Sequence, residues 1–357
     1  MTQPSLAPLD EYCRSLEQVW RTGILTHNGP LVQKLERELQ KRFALSRVAC
    51  VVNGTMAIQL AIRALDLQGE IITTPFTYVA TSSAIIWERC KPVYVDIDPE
   101  TLNIDASKIE PAISRRTSAI LPVHTFSNPC DVDSIARLAK KHRLKVIYDG
   151  AHAMGVRYKD KPLLECGDIS ATSFHATKIF NTGEGGACIT ASKRLDARIR
   201  KLRFFGHDMT QKIKDNGLNG KMTELHAALG LCNLRYWNRV IRERRERYTL
   251  YLKLLEDLDF IRFQRFPEGS YNYSYMPVIF RTERKLLTIM RQLNARKIFP
   301  RRYFRPSLNK LHKSDPKLPV AEDVARKVLC LPLYSGITAE TIHTIARVFY
   351  TSSNQHQ

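Results

Sequence analysis

Short apolar stretches alternating with helix-length amphipathic ones constrain this chain more than any other feature. Val48–Val52, Glu70–Thr73, Val93–Val95, Ala119–Val123, Lys145–Tyr148 and Ile169–Phe174 are too short for helices and read as buried strands. Met56–Leu65, Thr77–Trp87 and Asp131–Lys141 lie between them and read as helices. Strands buried on both faces and separated by helices predict an α/β domain built on a mostly parallel sheet. Upstream, Asp10–Gln18 and Pro30–Phe43 read as amphipathic helices around the turn Asn28–Pro30. Downstream, Arg194–Phe205 reads as a helix stopped by Gly206, and His207–Gly220 as an exposed loop. Lys221–Leu252 reads as one long helical stretch with Leu225, Ala228, Leu229 and Cys232 on its apolar face. The pattern changes near Leu254–Phe260. Residues 1–240 are thus expected to form an N-terminal segment and a large α/β domain, and 241–357 a smaller C-terminal α+β domain. The smaller unit should hold a strand at Tyr275–Phe280, helices at Thr282–Ala295 and Ala339–Tyr350, and a frayed tail over 351–357.

Ligands of such sheets bind at the carboxyl ends of the strands. Asn53-Gly54-Thr55, Tyr78, Asp149, His152 and Lys178 each fall just after an apolar strand. Gly54-Thr55 opens a helix, where free amides and the helix dipole favour an anion. It lacks the lysine of a nucleotide P-loop and the three glycines of a dinucleotide fingerprint. Lys178 sits in H-A-T-K, directly before the glycine-rich turn N-T-G-E-G-G. A lysine at a strand end in a partly buried pocket loses solvation, which frees its neutral amine to form an imine. A pyridine-ring aldehyde cofactor such as pyridoxal 5'-phosphate (PLP) would then need three things: a carboxylate facing the ring nitrogen, a phosphate cradle and an aromatic cover. Asp149 can supply the first, Gly54, Thr55 and Ser173 the second, and Tyr78 the third. His152 could bond the ring oxygen or reinforce the stacking. Taken singly, Asp149 reads equally well as a helix cap and His152 as a core histidine. Their common placement at strand ends carries the argument.

The formal net charge of +20 asks for an anionic partner. Its densest stretches are Arg239–Arg247, read as a solvated helix face, and Arg296–Arg305, where aromatics among guanidinium groups suit a phosphate-bearing ligand. No nucleic-acid-binding motif is present, and no apolar run approaches the ~20 residues of a membrane span. Eight scattered cysteines, without a C-x-x-C pair or metal spacing, read as reduced packing residues of a cytoplasmic protein. No metal site is expected.

Six segments in order, N-G-T-M-A-I-Q-L-A-I, T-P-F-T-Y-V-A-T, Y-V-D-I-D-P-E-T-L-N-I-D, Y-D-G-A-H-A-M-G, S-F-H-A-T-K and N-G-K-M-T-E-L-H-A-A-L-G, resemble the DegT/DnrJ/EryC1/StrS family of PLP-dependent sugar aminotransferases. The likeness runs from about residue 25 to 240 and more weakly to L-P-L-Y-S (331–335). It implies the fold of aspartate aminotransferases (fold type I). It also implies Lys178 as the lysine that bonds the cofactor aldehyde and Asp149 as partner of the pyridinium nitrogen. His152 would lie beside the ring, Gly54, Thr55 and Ser173 at the phosphate, and Tyr78 against the ring face. Asn219 would reach the neighbouring subunit's site in a homodimer, and Glu184 would lie near the sugar. Some relatives carry histidine in place of the lysine and are dehydratases; Lys178 argues against that here.

N-G-P-L, H-A-T-K-I-F-N-T and P-R-R-Y-F-R-P-S-L look like the branch acting on nucleotide-linked 4-keto-6-deoxyhexoses. The resemblance therefore implies a dTDP-4-keto-6-deoxy-D-glucose substrate, L-glutamate as amino donor, and a 4-amino-4,6-dideoxy sugar nucleotide. Such a product would enter lipopolysaccharide O-antigen or another surface glycan. Arg301 and Tyr303 would hold the diphosphate. Two alternatives stand beside this: a 3-aminotransferase on a 3-keto nucleotide sugar, and a non-catalytic regulatory or nucleic-acid-binding protein of the same fold. Two positions depart from the family pattern: Lys221 where many members have arginine, and Ser127 where glycine is usual.

Overall fold

The computed structural model describes residues 3–208, 210–266, 269–311 and 316–353. The chain begins with α1 (Leu9–Thr22), α2 (Pro30–Phe43), β1 (Val48–Val51), α3 (Gly54–Ala64), β2 (Glu70–Thr73), α4 (Val79–Trp87) and β3 (Lys91–Tyr94). It continues through β4 (Thr117–Leu121), α5 (Val132–His142), β5 (Lys145–Asp149), a short hairpin of β6 (Arg157–Tyr158) and β7 (Lys161–Pro162), β8 (Ile169–Ser173), β9 (Gly186–Ile189) and α6 (Lys193–Leu202). The rest is α7 (Glu224–Arg235), α8 (Trp237–Leu255), β10 (Ile261–Phe263), β11 (Gly269–Ser270), β12 (Met276–Phe280), α9 (Glu283–Ala295), α10 (Pro319–Lys327), β13 (Val328–Leu331) and α11 (Ala339–Ser353). Residues 354–357 of the expected tail lie outside the described residues.

The large sheet has the order β1-β9-β8-β5-β4-β2-β3. Its pairs from β8 to β3 are parallel, whereas β9 runs antiparallel to both β8 and β1. The expected mostly parallel sheet is therefore present, with one reversed strand near an edge. Alternation along each strand sends side chains to two cores. Val48 and Cys50 face α2, α5 and α7, while Ala49 and Val51 face α3, α4 and α6. Covering both faces is what the uniformly apolar strands require.

A second sheet, β10-β12-β13, packs with α8, α9 and α11 around Tyr251, Leu255, Val278, Leu286, Leu329 and Ile345. Helix α8 serves both cores, with Trp237 and Val240 in the large one and Tyr248 and Tyr251 in the small one. A third sheet joins β11 to the β6–β7 hairpin.

The single helix expected over Lys221–Leu252 is two, because the chain breaks at Tyr236 (φ −94°, ψ 2°). Helix α7 starts only at Glu224, capped by the Thr223 hydroxyl. Its buried residues are Glu224, Ala227, Ala228, Gly230, Cys232, Asn233 and Leu234. Leu225 and Leu229 are only half-buried, since α1 and α2 cover α7 from more than one side. Arg239–Arg247 is not wholly a solvated face either: Arg244 is buried. Residues 207–208 and 210–220 form the expected loop, bridged at Phe204–Asn219 and His207–Ile213.

Buried Glu224 does the capping work that Gly29, the cap residue of α2, cannot. Its two carboxylate oxygens accept the Leu31 and Val32 amides at 2.8 Å each. A Cβ at position 29 would lie 2.6 Å from the Glu224 carboxyl carbon, so glycine is needed there. Glu224→Ala strands two helix-end donors and is expected to cost about 3 kcal/mol. A urea midpoint within error of the parent's would refute that role.

Candidate active site

The parallel strands direct their carboxyl ends to one edge of the large sheet, and the site assembles there. Asp149 ends β5, paired to Ala171 of β8. Ser173 ends β8, and Lys178 follows in a turn whose amide bonds the His175 carbonyl at 2.8 Å. Because β9 is reversed, its first residue, Gly186, lies at the same edge, opposite both Ser173 and Val51. The glycine-rich turn with Glu184 is thereby delivered to the site. A Cβ at Gly186 would lie 2.6 Å from the Asn53 carbonyl carbon, so only glycine allows this approach.

A cavity of about 430 Å³ occupies this edge. It is lined by Gly54, Thr55, Tyr78, Asp149, His152, Ser173, Lys178, Glu184 and Tyr303 among the residues singled out in the sequence. Asn219 and Arg301 do not line it. Asn219 is exposed and accepts a hydrogen bond from Lys221 Nζ at 2.5 Å. Arg301 is exposed and pairs through its backbone with Cys330. Its neighbour Arg302 is held by Glu283 Oε1 at 2.7 Å and the Arg326 carbonyl at 2.6 Å.

Burial drives the electrostatics. Loss of water lowers the Lys178 pKa to about 8, with the Asp149 charge opposing the shift. Burial raises the Asp149 carboxyl, against hydrogen bonds from the Thr81 hydroxyl (2.7 Å) and the Ala151 amide (3.0 Å) and the charge of Lys178. The His152 imidazole is pushed well below its usual range by burial and then by Lys178, so the ring is neutral. A lysine, a carboxylate and a neutral imidazole thus meet in one pocket.

The expected phosphate cradle has a local cause. Asn53 caps α3 by accepting the Met56 amide at 2.8 Å, while the Gly54 and Thr55 amides of the first turn have no helical carbonyl to bond. A Cβ on Gly54 would stand 2.8 Å from Ser173 Cβ, so the helix end and the Ser173 hydroxyl share one small space. His152 Nδ1 is buried without a hydrogen-bond partner among the described residues. An anion-ready helix end, an orphaned ring nitrogen, a carboxylate and an amine fit a phosphorylated pyridine aldehyde. Tyr78, the cap residue of α4, is 62% exposed and stands at the rim of the cavity.

Sequence reasoning missed Thr81 and Tyr275. Thr81 lies one turn after Tyr78 in T-Y-V-A-T, a hydroxyl on the inward face of α4, and that spacing could have found it. Tyr275 was read only as the start of a strand; its hydroxyl lies 3.3 Å from His152 Nε2. Of the two departures from the family pattern, Lys221 sets its ammonium 4.8 Å and 4.7 Å from the Phe204 and Phe205 ring centres while holding Asn219. Ser127 has φ +68° beside Phe126 at +56°, the left-handed backbone that explains why glycine is usual there. It does not line the cavity.

The profile of the DegT/DnrJ/EryC1/StrS aminotransferase family matches residues 9–349. The chain is similar to dTDP-4-amino-4,6-dideoxy-D-glucose transaminase of Shigella dysenteriae, 41% identical over 97% of this chain and 96% of the relative. It is 38% identical to a transaminase of the same name from Escherichia coli, over 98% of this chain and 97% of that one. Among solved structures, DesI in the presence of its TDP-sugar product matches with a TM-score of 0.92 at 32% identity, covering 99% of this chain and 92% of that one.

Proposed function

Because the chain belongs to the DegT/DnrJ/EryC1/StrS aminotransferase family, we propose that it transfers an amino group from L-glutamate to the C4 ketone of dTDP-4-keto-6-deoxy-D-glucose. The product is the 4-amino-4,6-dideoxy sugar nucleotide, a building block for O-antigen or another surface glycan. The observation that carries this reading is the 41% identity across nearly the whole chain, joined to a pocket that keeps Lys178, Asp149 and the Gly54-Ser173 cradle together. The 3-keto alternative is not favoured, since the two relatives at 41% and 38% identity carry 4-amino sugar names. The non-catalytic alternative is set aside by the family assignment and the intact amine and carboxylate.

As in the aminotransferases of this family, the cofactor is PLP, which supplies an electrophilic aldehyde and an electron-withdrawing ring. Asp149 would face the ring nitrogen and hold its proton. The Gly54 and Thr55 amides and the Ser173 hydroxyl would hold the phosphate, Tyr78 would cover the ring, and His152 would bond the ring oxygen. Lys178 Nζ would be the base that takes the proton from the donor's Cα and the acid that returns one at C4 of the sugar. Glu184 and Tyr303 are assigned to the sugar nucleotide, with Arg301 at its outer phosphate.

We assign the active unit to a homodimer in which Asn219 completes the partner's site. Phe205, 47% exposed and bonded through its amide to the Leu218 carbonyl beside Asn219, supports that surface. The 1–240 and 241–357 division is kept as a proposal, supported by the passage of α8 between two cores. A cytoplasmic location is proposed from eight free cysteines. No helix among the described residues is long and apolar enough to cross a membrane.

The test is spectroscopic. The purified protein should carry a visible band that L-glutamate bleaches, and it should then convert the 4-keto sugar nucleotide to the 4-amino product. A protein that stays colourless with added PLP contradicts the proposal. A pH series adds a second check. Since the Lys178 pKa is lowered to about 8, the reactive neutral amine predominates above that pH. Stopped-flow formation of the band from cofactor-free protein and PLP should accelerate with a midpoint about 8, not at the about 10.4 of a free lysine.

A further inference from the structure

His152 is gripped by a segment that belongs to the other half of the chain. The run Y-N-Y-S-Y (271–275) leads into β12, yet its side chains close on the backbone and ring that follow β5. Asn272 Nδ2 donates to the carbonyls of His152 (2.8 Å) and Met154 (2.9 Å). The Ser274 hydroxyl reaches the His152 carbonyl at 3.4 Å and donates to Asn272 Oδ1 at 2.6 Å. Tyr271 donates to the Tyr275 carbonyl at 2.9 Å. From behind, buried Arg244 of α8 donates Nε to the Tyr273 carbonyl (2.8 Å) and Nη2 to the Ser274 carbonyl (2.6 Å). No carboxylate pairs with Arg244 among the described residues, so these carbonyls take up its charge. A buried cation serving two carbonyls is an expensive element, and it is spent on the shape of this one strap.

We propose that the 271–275 strap, locked by Arg244, is the positioning device of His152, and that Tyr275 fixes its tautomer so that Nδ1 carries the proton. The argument is an accounting of donors. A neutral imidazole has one N–H, and a phenol has one O–H. Tyr275 Oη has no hydrogen-bond partner among the described residues other than His152 Nε2. If Nε2 carried the proton, the phenol O–H of half-buried Tyr275 would have no acceptor among the described residues, and Nδ1 would present a lone pair to an acceptor oxygen. With the phenol donating to Nε2, every Tyr275 donor is satisfied and Nδ1–H remains as the single free donor. That donor is what a bound ring oxygen would take. Burial keeps both groups in the required states, holding the imidazole neutral and the phenol protonated. Phe126 and Phe304, nearly parallel to the imidazole at 6.4 Å and 6.2 Å, fix the plane in which the donor lies.

The tautomer exists before any cofactor binds, so the experiment separates this inference from the functional proposal on which its purpose rests. Cofactor-free protein labelled with ¹⁵N-histidine is examined by long-range ¹⁵N–¹H correlation, with His152→Gln used to assign the signal. The expected result is a protonated Nδ1 and an unprotonated Nε2 for His152 at neutral pH. In Tyr275→Phe, which preserves the ring and its packing, that preference should give way to exchange between tautomers or to the reversed form. PLP should dissociate about tenfold more readily, equivalent to about 1.4 kcal/mol. Arg244→Gln should move the His152 signals in the same direction while those of the distant His142 stay fixed, and Arg244→Lys should recover part of the change. A wild-type His152 protonated on Nε2 overturns the inference. So does a Tyr275→Phe spectrum that keeps the Nδ1 proton unchanged.

Discussion

Lys178→Ala is expected to remove the visible band of the lysine-bonded cofactor and lower amino transfer by at least about 10⁴-fold. The size follows from two duties that no neighbour can assume. In the proposed reaction the side chain would offer the amine that bonds the cofactor aldehyde, and it would also move the proton at the donor's Cα. Thr177 and His175 line the same cavity, but a hydroxyl cannot form the imine, and the His175 ring is already bonded to Thr177 at 2.8 Å. The cradle at Gly54, Thr55 and Ser173 is untouched, so the variant should still retain phosphate-bearing cofactor measurably. A variant that keeps activity within tenfold of the parent would remove Lys178 from the chemistry.

Asp149→Asn is the second large effect, expected at about 10³-fold on kcat. Asparagine keeps the volume and can still accept the Thr81 hydroxyl, so what is lost is the charge that holds the ring proton. Stability should move the other way. The folded-state pKa of Asp149 is raised, chiefly by burial. The ionised form is therefore disfavoured by folding at neutral pH, and the penalty fades as pH falls through that raised value. The cofactor-free Asp149→Asn protein is thus expected to melt above the parent at neutral pH while being nearly inactive. Thermal melts of both proteins across pH provide the check. Equal losses of stability and activity would mean that Asp149 is a structural cap instead.

Much of this arrangement was legible before any coordinates. Helix Pro30–Phe43 could be read to the residue because a proline opens it and its apolar spacing is regular. The strands were legible because burial on both faces leaves unbroken apolar runs. The Lys221–Leu252 stretch misled because no glycine or proline marks the break at Tyr236. Periodicity also cannot reveal that α1 and α2 surround α7. Arg244 was hidden in a run of charges, since its partners are carbonyls of residues 273 and 274, some 30 positions downstream. Residues at strand ends could be inferred from local pattern. Tyr275 could not, because its position depends on how the C-terminal part docks. Of the basic segment with aromatics that suggested phosphate, only Tyr303 and Phe304 line the cavity, and Arg301 stands outside it, a placement that charge and composition alone do not reveal.

Asp149 and Ser173 end paired strands, whereas Lys178, Glu184 and Tyr303 ride on connecting segments outside the ladder. The Asp149 carboxylate is therefore anchored by the sheet, while the Lys178 amine shares its connection with Glu184. Exchanging the turn at 181–185 or the stretch around 303 for those of another sugar-binding chain leaves the β5–β8–β9 hydrogen bonds in place. Such grafts leave Asp149 fixed by the ladder, and they keep Lys178 in place only where the new turn bonds residues 174 and 176 as the present one does.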